Sequence, residues 1–368
     1  MRATVLPISL LIASGFGASL AEGNDRTAPP AIWSFPASAD PRRVGKSIAE
    51  NLLSRDTMLR ADKSGIHYAE ICAAEGAITF AHLAEDAGLS VRLEKRYACF
   101  LSPGCSLIPP GGSSRYQAAL VVFAMYCHNR QPRFLDAASS LVQEKWKGMG
   151  NPQAADVMFK TARFWSDDMY FTPTLDPRLY RITGDSNAID RPANWLIGYI
   201  DRLQLPNGLF KHTTQVSFVW GRGVGWAAAG LTNTLLDLPQ NHPKRRPLME
   251  SYLRLMAGLL PYQSPNGLWR QLIDYPDAWE ETSGSAMFTY AMATGIRMGW
   301  LEASVYGPVL RRGWLALVDR LDEKGELMDV CIGTNEQLTA QGYLGRPRRN
   351  GDYHGQAPML WTANALLQ

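Results

Sequence analysis

The sequence predicts an all-α protein built as a closed ring of helical hairpins, an α/α toroid. Three observations lead there. Apolar residues recur at helical spacing in residues 44–53, 73–83, 117–126, 134–142 and 226–238. Runs of alternating polarity rich in β-branched residues, the mark of strands, are nearly absent. A turn motif also repeats. Pro206-Asn207-Gly208-Leu209-Phe210 returns as Pro265-Asn266-Gly267-Leu268-Trp269, and more weakly as Glu323-Lys324-Gly325-Glu326-Leu327, with the glycines 59 and 58 residues apart. Thr183-Gly184-Asp185 is a further turn of the same style. Each motif ends one helix with a glycine, and two helices plus two loops fill the period. A lone hairpin cannot bury its apolar face, so neighbours must stack. A ring satisfies every unit and leaves a bowl at one end; an open solenoid is the other solution.

The elements follow in order. Arg2, the apolar stretch 5–18 and the small residues Ser19 and Ala21 form the pattern of a secretory signal peptide over residues 1–21. It is too short for a membrane span, and no later segment has the uninterrupted apolar length of one. This pattern predicts export, to the periplasm or the extracellular space. Residues 22–42 are polar and proline-rich and read as a linker. Residues 43–368 then form a single toroid domain. Apolar residues make up 46% of the chain and charged residues 19%, which excludes a disordered protein. The net charge of +3, with no basic stripe, argues against nucleic-acid binding. Eleven Trp and fourteen Tyr lean toward carbohydrate, because aromatic planes stack on sugar rings, although most will fill the core. Of five cysteines at least one is free. Cys99 and Cys105 flank a short loop and are placed to pair; otherwise all five are small buried residues. No cysteine–histidine spacing suggests a zinc site.

Five stretches can carry chemistry. In Trp165-Ser166-Asp167-Asp168-Met169-Tyr170, two acids stand among aromatic residues, a setting that raises a carboxyl pKa and suits a proton donor. Helical neighbours diverge by about 100°, so one of the pair faces the bowl, and Trp165 shares a face with Asp168. A structural cap or a bridge to Arg163 is the plainer reading of such a pair. In Trp220-Gly221-Arg222-Gly223-Val224-Gly225-Trp226, alternating glycines bring backbone close to a ligand at a helix start. Arg222 there can hold a carboxylate through two parallel hydrogen bonds, and Trp220 and Trp226 can wall a sugar ring. A tight packed turn is the structural alternative. His212 lies just after a repeat turn. Glu281, in Glu280-Glu281-Thr282-Ser283, is explained most cheaply as a helix cap. His354 belongs to the polar cluster Asp352-Tyr353-His354-Gly355-Gln356-Ala357-Pro358.

With these motifs the chain resembles the unsaturated rhamnogalacturonyl hydrolases, glycoside hydrolase family 105, relatives of the family 88 unsaturated glucuronyl hydrolases. The likeness rests on the Trp-Ser-Asp-Asp-Met-Tyr, Gly-Leu-Phe-Lys-His and Trp-Gly-Arg-Gly-Val-Gly-Trp stretches, on Glu281-Thr-Ser-Gly-Ser285, and on Leu107-Ile-Pro-Pro110 and the Asp352–Pro358 cluster. It runs over nearly the whole chain from Arg43. It implies a six-hairpin toroid and an oligosaccharide substrate carrying a C4=C5 unsaturated uronate left by a polysaccharide lyase, of rhamnogalacturonan type. One Asp serves as acid and base: it protonates C4 while water adds at C5. No metal or organic cofactor is implied. Carried over by motif, that Asp is Asp168, or else Asp167. His212 and Arg222 hold the uronate and its water; Trp165, Trp220 and Trp226 wall the ring; His354 lines the bowl.

The chain departs from the family pattern after Pro110. The segment Gly111-Gly-Ser-Ser-Arg-Tyr-Gln117 lacks the second acid common there. That absence leaves open a sugar-binding protein without catalysis on the same fold. A third reading is an inverting glycosidase or epimerase, which needs a second carboxylate across the bowl, with Glu281 the candidate.

Overall fold

The computed structural model describes residues 30–110, 113–146, 159, 162–185 and 187–368. The expected signal peptide lies outside them. Twelve long helices alternate between an outer and an inner layer among these residues. The outer ones are α1 (Pro41–Ser54), α3 (Ala87–Tyr97), α5 (Pro132–Trp146), α7 (Asn187–Leu203), α9 (Arg245–Leu259) and α11 (Ala303–Asp319). The inner ones are α2 (Tyr68–Leu83), α4 (Ala119–Asn129), α6 (Asp168–Thr183), α8 (Gly221–Asp237), α10 (Thr282–Arg297) and α12 (Tyr353–Leu367). Sequence decides the layer. In α8 every residue from Gly221 to Leu235 is buried, and α2, α10 and α12 are buried nearly all round. A helix apolar on every side needs neighbours on every side. In α1 and α9 only one face is buried.

The inner helices touch in the order α2, α12, α10, α8, α6, and α4 packs on both α2 and α6, which closes the ring. The solenoid alternative is thereby removed. Solved structures of the same toroid class, described below, share this architecture. Among the described residues strands are confined to short pairs: β1 (Trp269–Arg270) with β2 (Glu280–Glu281), and β3 (Val330–Cys331) with β4 (Arg348–Arg349), both antiparallel.

The repeat turns explain why the ring closes. Gly208, Gly267 and Gly325 follow α7, α9 and α11 and all have positive φ, at 87°, 99° and 76°. A Cβ there would meet Arg254 O at 2.1 Å, Arg312 O at 2.7 Å and Ser47 Oγ at 2.5 Å. Each turn thus packs on the next outer helix: α9, α11 and, past the end of the series, α1. Gln204 and Gln263 repeat the tie, each bridging its own turn glycine and the following outer helix through its side-chain amide. Gly184 is different. It caps the inner helix α6 with φ 74°, and a Cβ added to it would meet nothing within 4 Å.

Residues 30–42 differ from the linker expected there. They hold a helical turn (Pro30–Trp33) and the start of α1, with Ile32 buried against α11 and the Trp314 indole donating to Ala39 O at 2.9 Å. Proline richness marked helix starts, where a missing N–H costs nothing. Cys99 and Cys105 form a disulfide, and Cys72, Cys127 and Cys331 are free.

The packing account separates two glycine effects. Gly184→Ala should cost about 1 kcal/mol, the left-handed backbone alone. Gly267→Ala should cost about 3 kcal/mol or more, since it adds a backbone collision to the strained φ. Urea unfolding of the two variants measures this, and equal losses would discount the packing role.

Candidate active site

The inner helices point their N-termini toward one end of the ring, and the candidate residues sit there. Tyr68 begins α2. Asp167 is the residue before α6. Arg222 is the second residue of α8. Glu281 caps α10, and Asp352 caps α12 two residues before His354. Each helix start carries about half a positive charge in unpaired N–H groups. Loop residues complete the site. His212 follows the Gly208 turn, and Tyr343 comes from the short helix Ala340–Leu344 between β3 and β4. Together they gather around the N-termini of the inner helices at that end.

The adjacent acids diverge as helix geometry requires, but in the opposite sense to the expectation. Asp168 is occupied. Both its carboxyl oxygens face the Arg163 guanidinium, and the Tyr199 hydroxyl donates to Oδ2 at 3.1 Å. Asp167 turns toward the ring's interior, where its Oδ2 lies 3.2 Å from His212 Nε2. That approach is not aligned as a hydrogen bond, and Asp167 Oδ2, His212 Nε2, Ser166 Oγ and Arg222 Nε are buried polar atoms without a protein partner. The other His212 nitrogen, Nδ1, is fixed by the Tyr343 hydroxyl at 2.6 Å. The raised carboxyl pKa expected here is not found for Asp167. Burial pushes its carboxyl up, but His212 and the charges of Arg222 and Arg163 outweigh burial and hold it below the usual value.

Arg222 does not present the free fork expected of it. One terminal nitrogen donates to Cys331 O and to Ser283 Oγ (3.3 Å), and the other to Ile332 O at 2.7 Å. Its guanidinium lies 4.6 Å over the Trp220 ring. It acts on the site as a buried charge. Trp220 and Trp226 are likewise buried rather than exposed as walls. Trp220 donates to Gln271, while Trp226 packs among Tyr68, Tyr170, Phe171 and Trp361. The glycines between them belong to the first turn of α8. A Cβ on Gly223 would come within 2.6 Å of Ser166 Oγ, so they admit neighbouring elements and not a ligand. Trp165 is half-buried, edge-on to His212 at 5.5 Å, with the Arg163 guanidinium 4.4 Å over its ring.

Glu281 is fully used. Its carboxylate accepts from Ser283 N (3.0 Å), Ser283 Oγ (2.6 Å), Gly284 N (2.7 Å) and Cys331 N (3.0 Å). It cannot serve as a second catalytic carboxylate, which removes the inverting-glycosidase reading. His354 is buried, with Nδ1 2.6 Å from Asp352 Oδ1 and Nε2 2.7 Å from the Tyr68 hydroxyl. Burial and the Arg222 charge lower the His354 pKa, and burial above all lowers that of neighbouring His67, to about 4. Residues 111–112 lie outside the described residues. The helical turn that follows has Arg115, paired with Glu144 at 2.6 Å, where an acid was missed. Tyr68 and Tyr343 had no sequence signal. Each is a single tyrosine in an ordinary context, joined to the site only by the ring.

The ring thus gathers Asp167, His212 and Arg222 at the N-terminal ends of the inner helices. Residues 112–368 match the model of Glycosyl Hydrolase Family 88, so the chain belongs to that family and is a glycosidase. It is 34% identical over 120 residues to an unsaturated 3S-rhamnoglycuronyl hydrolase of Formosa agariphila, a match spanning about a third of each chain (32%). It is 24% identical over 272 residues to an unsaturated rhamnogalacturonyl hydrolase of Bacillus subtilis, covering 70% of this chain and 74% of that one. Among solved structures, a possible family 105 member from Klebsiella pneumoniae superposes with a TM-score of 0.78 at 17% identity over 100% of this chain and 99% of the other. One from Salmonella enterica gives 0.77 at 18% identity over 90% and 95%. These likenesses establish the fold. No helix among the described residues is long and apolar enough to cross a membrane.

If Glu281 is a cap and a counter-charge to Arg222, Glu281→Ala should lower unfolding free energy by about 3 kcal/mol. Chemical denaturation measures it, and a loss under about 1 kcal/mol would contradict the assignment.

Proposed function

We propose that the chain removes a terminal C4=C5 unsaturated uronate from lyase-generated oligosaccharides of rhamnogalacturonan type, with Asp167 as acid and base. The observation that carries this reading is the Asp167 carboxyl set against His212 at the end of the ring where the inner-helix N-termini meet, with Glu281 and Asp352 both committed to other partners. A two-carboxylate displacement needs a second free acid. Hydration of an enol ether needs only one group that gives and then takes a proton. The names of the curated relatives support the same substrate class.

The proposed sequence is as follows. Protonated Asp167 delivers its proton to C4, leaving the positive charge on C5 and the ring oxygen. Water adds at C5 and returns a proton to the Asp167 carboxylate. The C5 hemiketal opens to a ketone, and the sugar at C1, now on an open-chain hemiacetal, departs with its own oxygen and a proton. One water is consumed. His212, its Nδ1 held by Tyr343, stands where it can orient that water. The helix N-termini and the Arg222 charge attract the uronate carboxylate. Trp165 supplies a face for the ring. The N-terminal signal pattern, together with the Cys99–Cys105 disulfide, supports an exported, oxidising location.

The double bond conjugated to the carboxylate absorbs in the ultraviolet, and hydration removes the signal. With a rhamnogalacturonan-lyase digest, Asp167→Asn should slow that loss at least about 1,000-fold, whereas Asp168→Asn should keep the rate within about tenfold. A sugar-binding protein would give no loss with the unaltered chain. Equal effects of the two substitutions would sink the assignment to Asp167.

The pH profile carries a sign of its own. The free Asp167 carboxyl is held low, and a bound uronate brings a negative charge beside it that raises its pKa. The protonated form is the donor, so activity falls as pH rises through this pKa. The fall in kcat/KM reports the free enzyme and that in kcat the complex. The alkaline limb of kcat should therefore lie at higher pH than that of kcat/KM. Coincident limbs in the ultraviolet assay would show that the substrate does not raise the acid's pKa.

A further inference from the structure

Asp352, His354 and Tyr68 form a chain that the proposed chemistry does not use. Asp352 Oδ1 lies 2.6 Å from His354 Nδ1 and also accepts from the His354 backbone N–H at 3.0 Å. His354 Nε2 lies 2.7 Å from the Tyr68 hydroxyl. Asp352 and His354 are buried, whereas Tyr68, the first residue of α2, is only partly so. The chain reaches the elements that carry the site: the Tyr68 ring stands 5.6 Å from that of Phe171 in α6 and 6.2 Å from that of Trp226 in α8. The charges of Asp167 and Arg222 bear on both Tyr68 and His354.

Counting donors fixes every proton in this chain. Asp352 is held ionised: burial opposes ionisation, but hydrogen bonds from the His354 ring and backbone N–H groups and the Arg222 charge prevail, so its oxygens only accept. His354 is kept neutral by burial and by the Arg222 charge. Its single N–H must then lie on Nδ1, facing the carboxylate, which leaves Nε2 a bare acceptor. The Tyr68 hydroxyl has one proton and must give it to Nε2. Any further partner of the Tyr68 oxygen meets lone pairs only.

We infer that Asp352 and His354 are positioning residues that turn Tyr68, at the start of α2 against α6 and α8, into an obligate hydrogen-bond acceptor, so that the site selects a uronate whose ring hydroxyl at that point is free. This deepens the unsaturated-uronate reading and rests on it. A sugar hydroxyl satisfies the Tyr68 oxygen by donating to it. A methyl ether or sulfate ester at the same position brings only acceptors and leaves that oxygen unpaired. The device therefore favours substrates unmodified at one hydroxyl of the terminal ring.

The test uses the full chain and unsaturated disaccharides methylated in turn at each ring hydroxyl of the uronate. The unaltered enzyme should prefer the free-hydroxyl substrate over one of the methylated forms by about tenfold or more in kcat/KM. Tyr68→Phe should erase that preference while still consuming the double bond. Asp352→Asn should erase it too, because the amide can donate to Nδ1, move the histidine proton to Nε2 and turn the Tyr68 proton toward the substrate. Nitrogen NMR of His354, assigned by comparison with His354→Gln, reads the tautomer without turnover: Nδ1–H in the native chain and Nε2–H in Asp352→Asn. Nε2–H in the native chain overturns the inference, as does a preference that survives in both Tyr68→Phe and Asp352→Asn. No absorbance loss by the native chain on the unmodified disaccharide would fail the underlying function instead, with the NMR result still deciding the polarity of Tyr68.

Discussion

The convergence of inner-helix N-termini at one end of the ring is the constraint on which the rest of the structure depends. In a hairpin ring all inner helices run the same way, so the unpaired N–H groups of every inner helix collect at one mouth. The dipoles add there instead of cancelling. Such an end needs negative groups before any ligand arrives. The chain supplies them as caps: Glu281 accepts from the first turn of α10, and Asp352 from the start of α12. Asp167 is the exception. It stands at the start of α6 without capping it, so its carboxyl remains available to chemistry.

Closing the ring tightly enough to gather those ends sets the glycine pattern. The turn glycines after the outer helices let each hairpin seat on the next, and the glycines opening α8 let Ser166 and α10 approach its first turn. Arg222 is trapped in that crowded turn. Its terminal nitrogens satisfy the carbonyls of Cys331 and Ile332, and its charge offsets the buried carboxylates around it. A buried cation whose two terminal nitrogens are both held by backbone carbonyls is fixed in place. It shapes the potential at the mouth without leaving its place, which is how preorganised electrostatics act.

The fold was legible because its causes are local and repeated. Helical periodicity marks the layers, and the glycine repeat marks the hairpin joints. The site was legible only by stretch. The Trp165–Tyr170, His212 and Trp220–Trp226 segments do meet, but the roles within them turn on three-dimensional detail. Which of two adjacent acids looks inward depends on where α6 begins, and boundaries are the least certain feature of any sequence reading. Arg222 looked like a ligand fork because an arginine between glycines suggests access, and the carbonyls that occupy it come from a segment more than a hundred residues away. Tyr68, with His354 behind it, joins the first inner helix to the last. No spacing rule detects a contact made only when the ring closes.

A low carboxyl pKa in the free protein suits a proton donor when the substrate itself is an anion. At a mouth rich in helix N-termini and in Arg222 charge, an empty site keeps Asp167 ionised. An incoming carboxylate occupies part of that field, and the remaining attraction no longer holds two negative charges as readily as one. The cheapest response is to bind a proton at the acid. A neutral sugar of the same shape lacks that charge and leaves Asp167 as a carboxylate, unable to protonate a carbon. In the proposed reaction, selection for an acidic end sugar and arming of the acid are then one electrostatic event, in which the substrate is discriminated by what it does to a pKa as well as by what it touches.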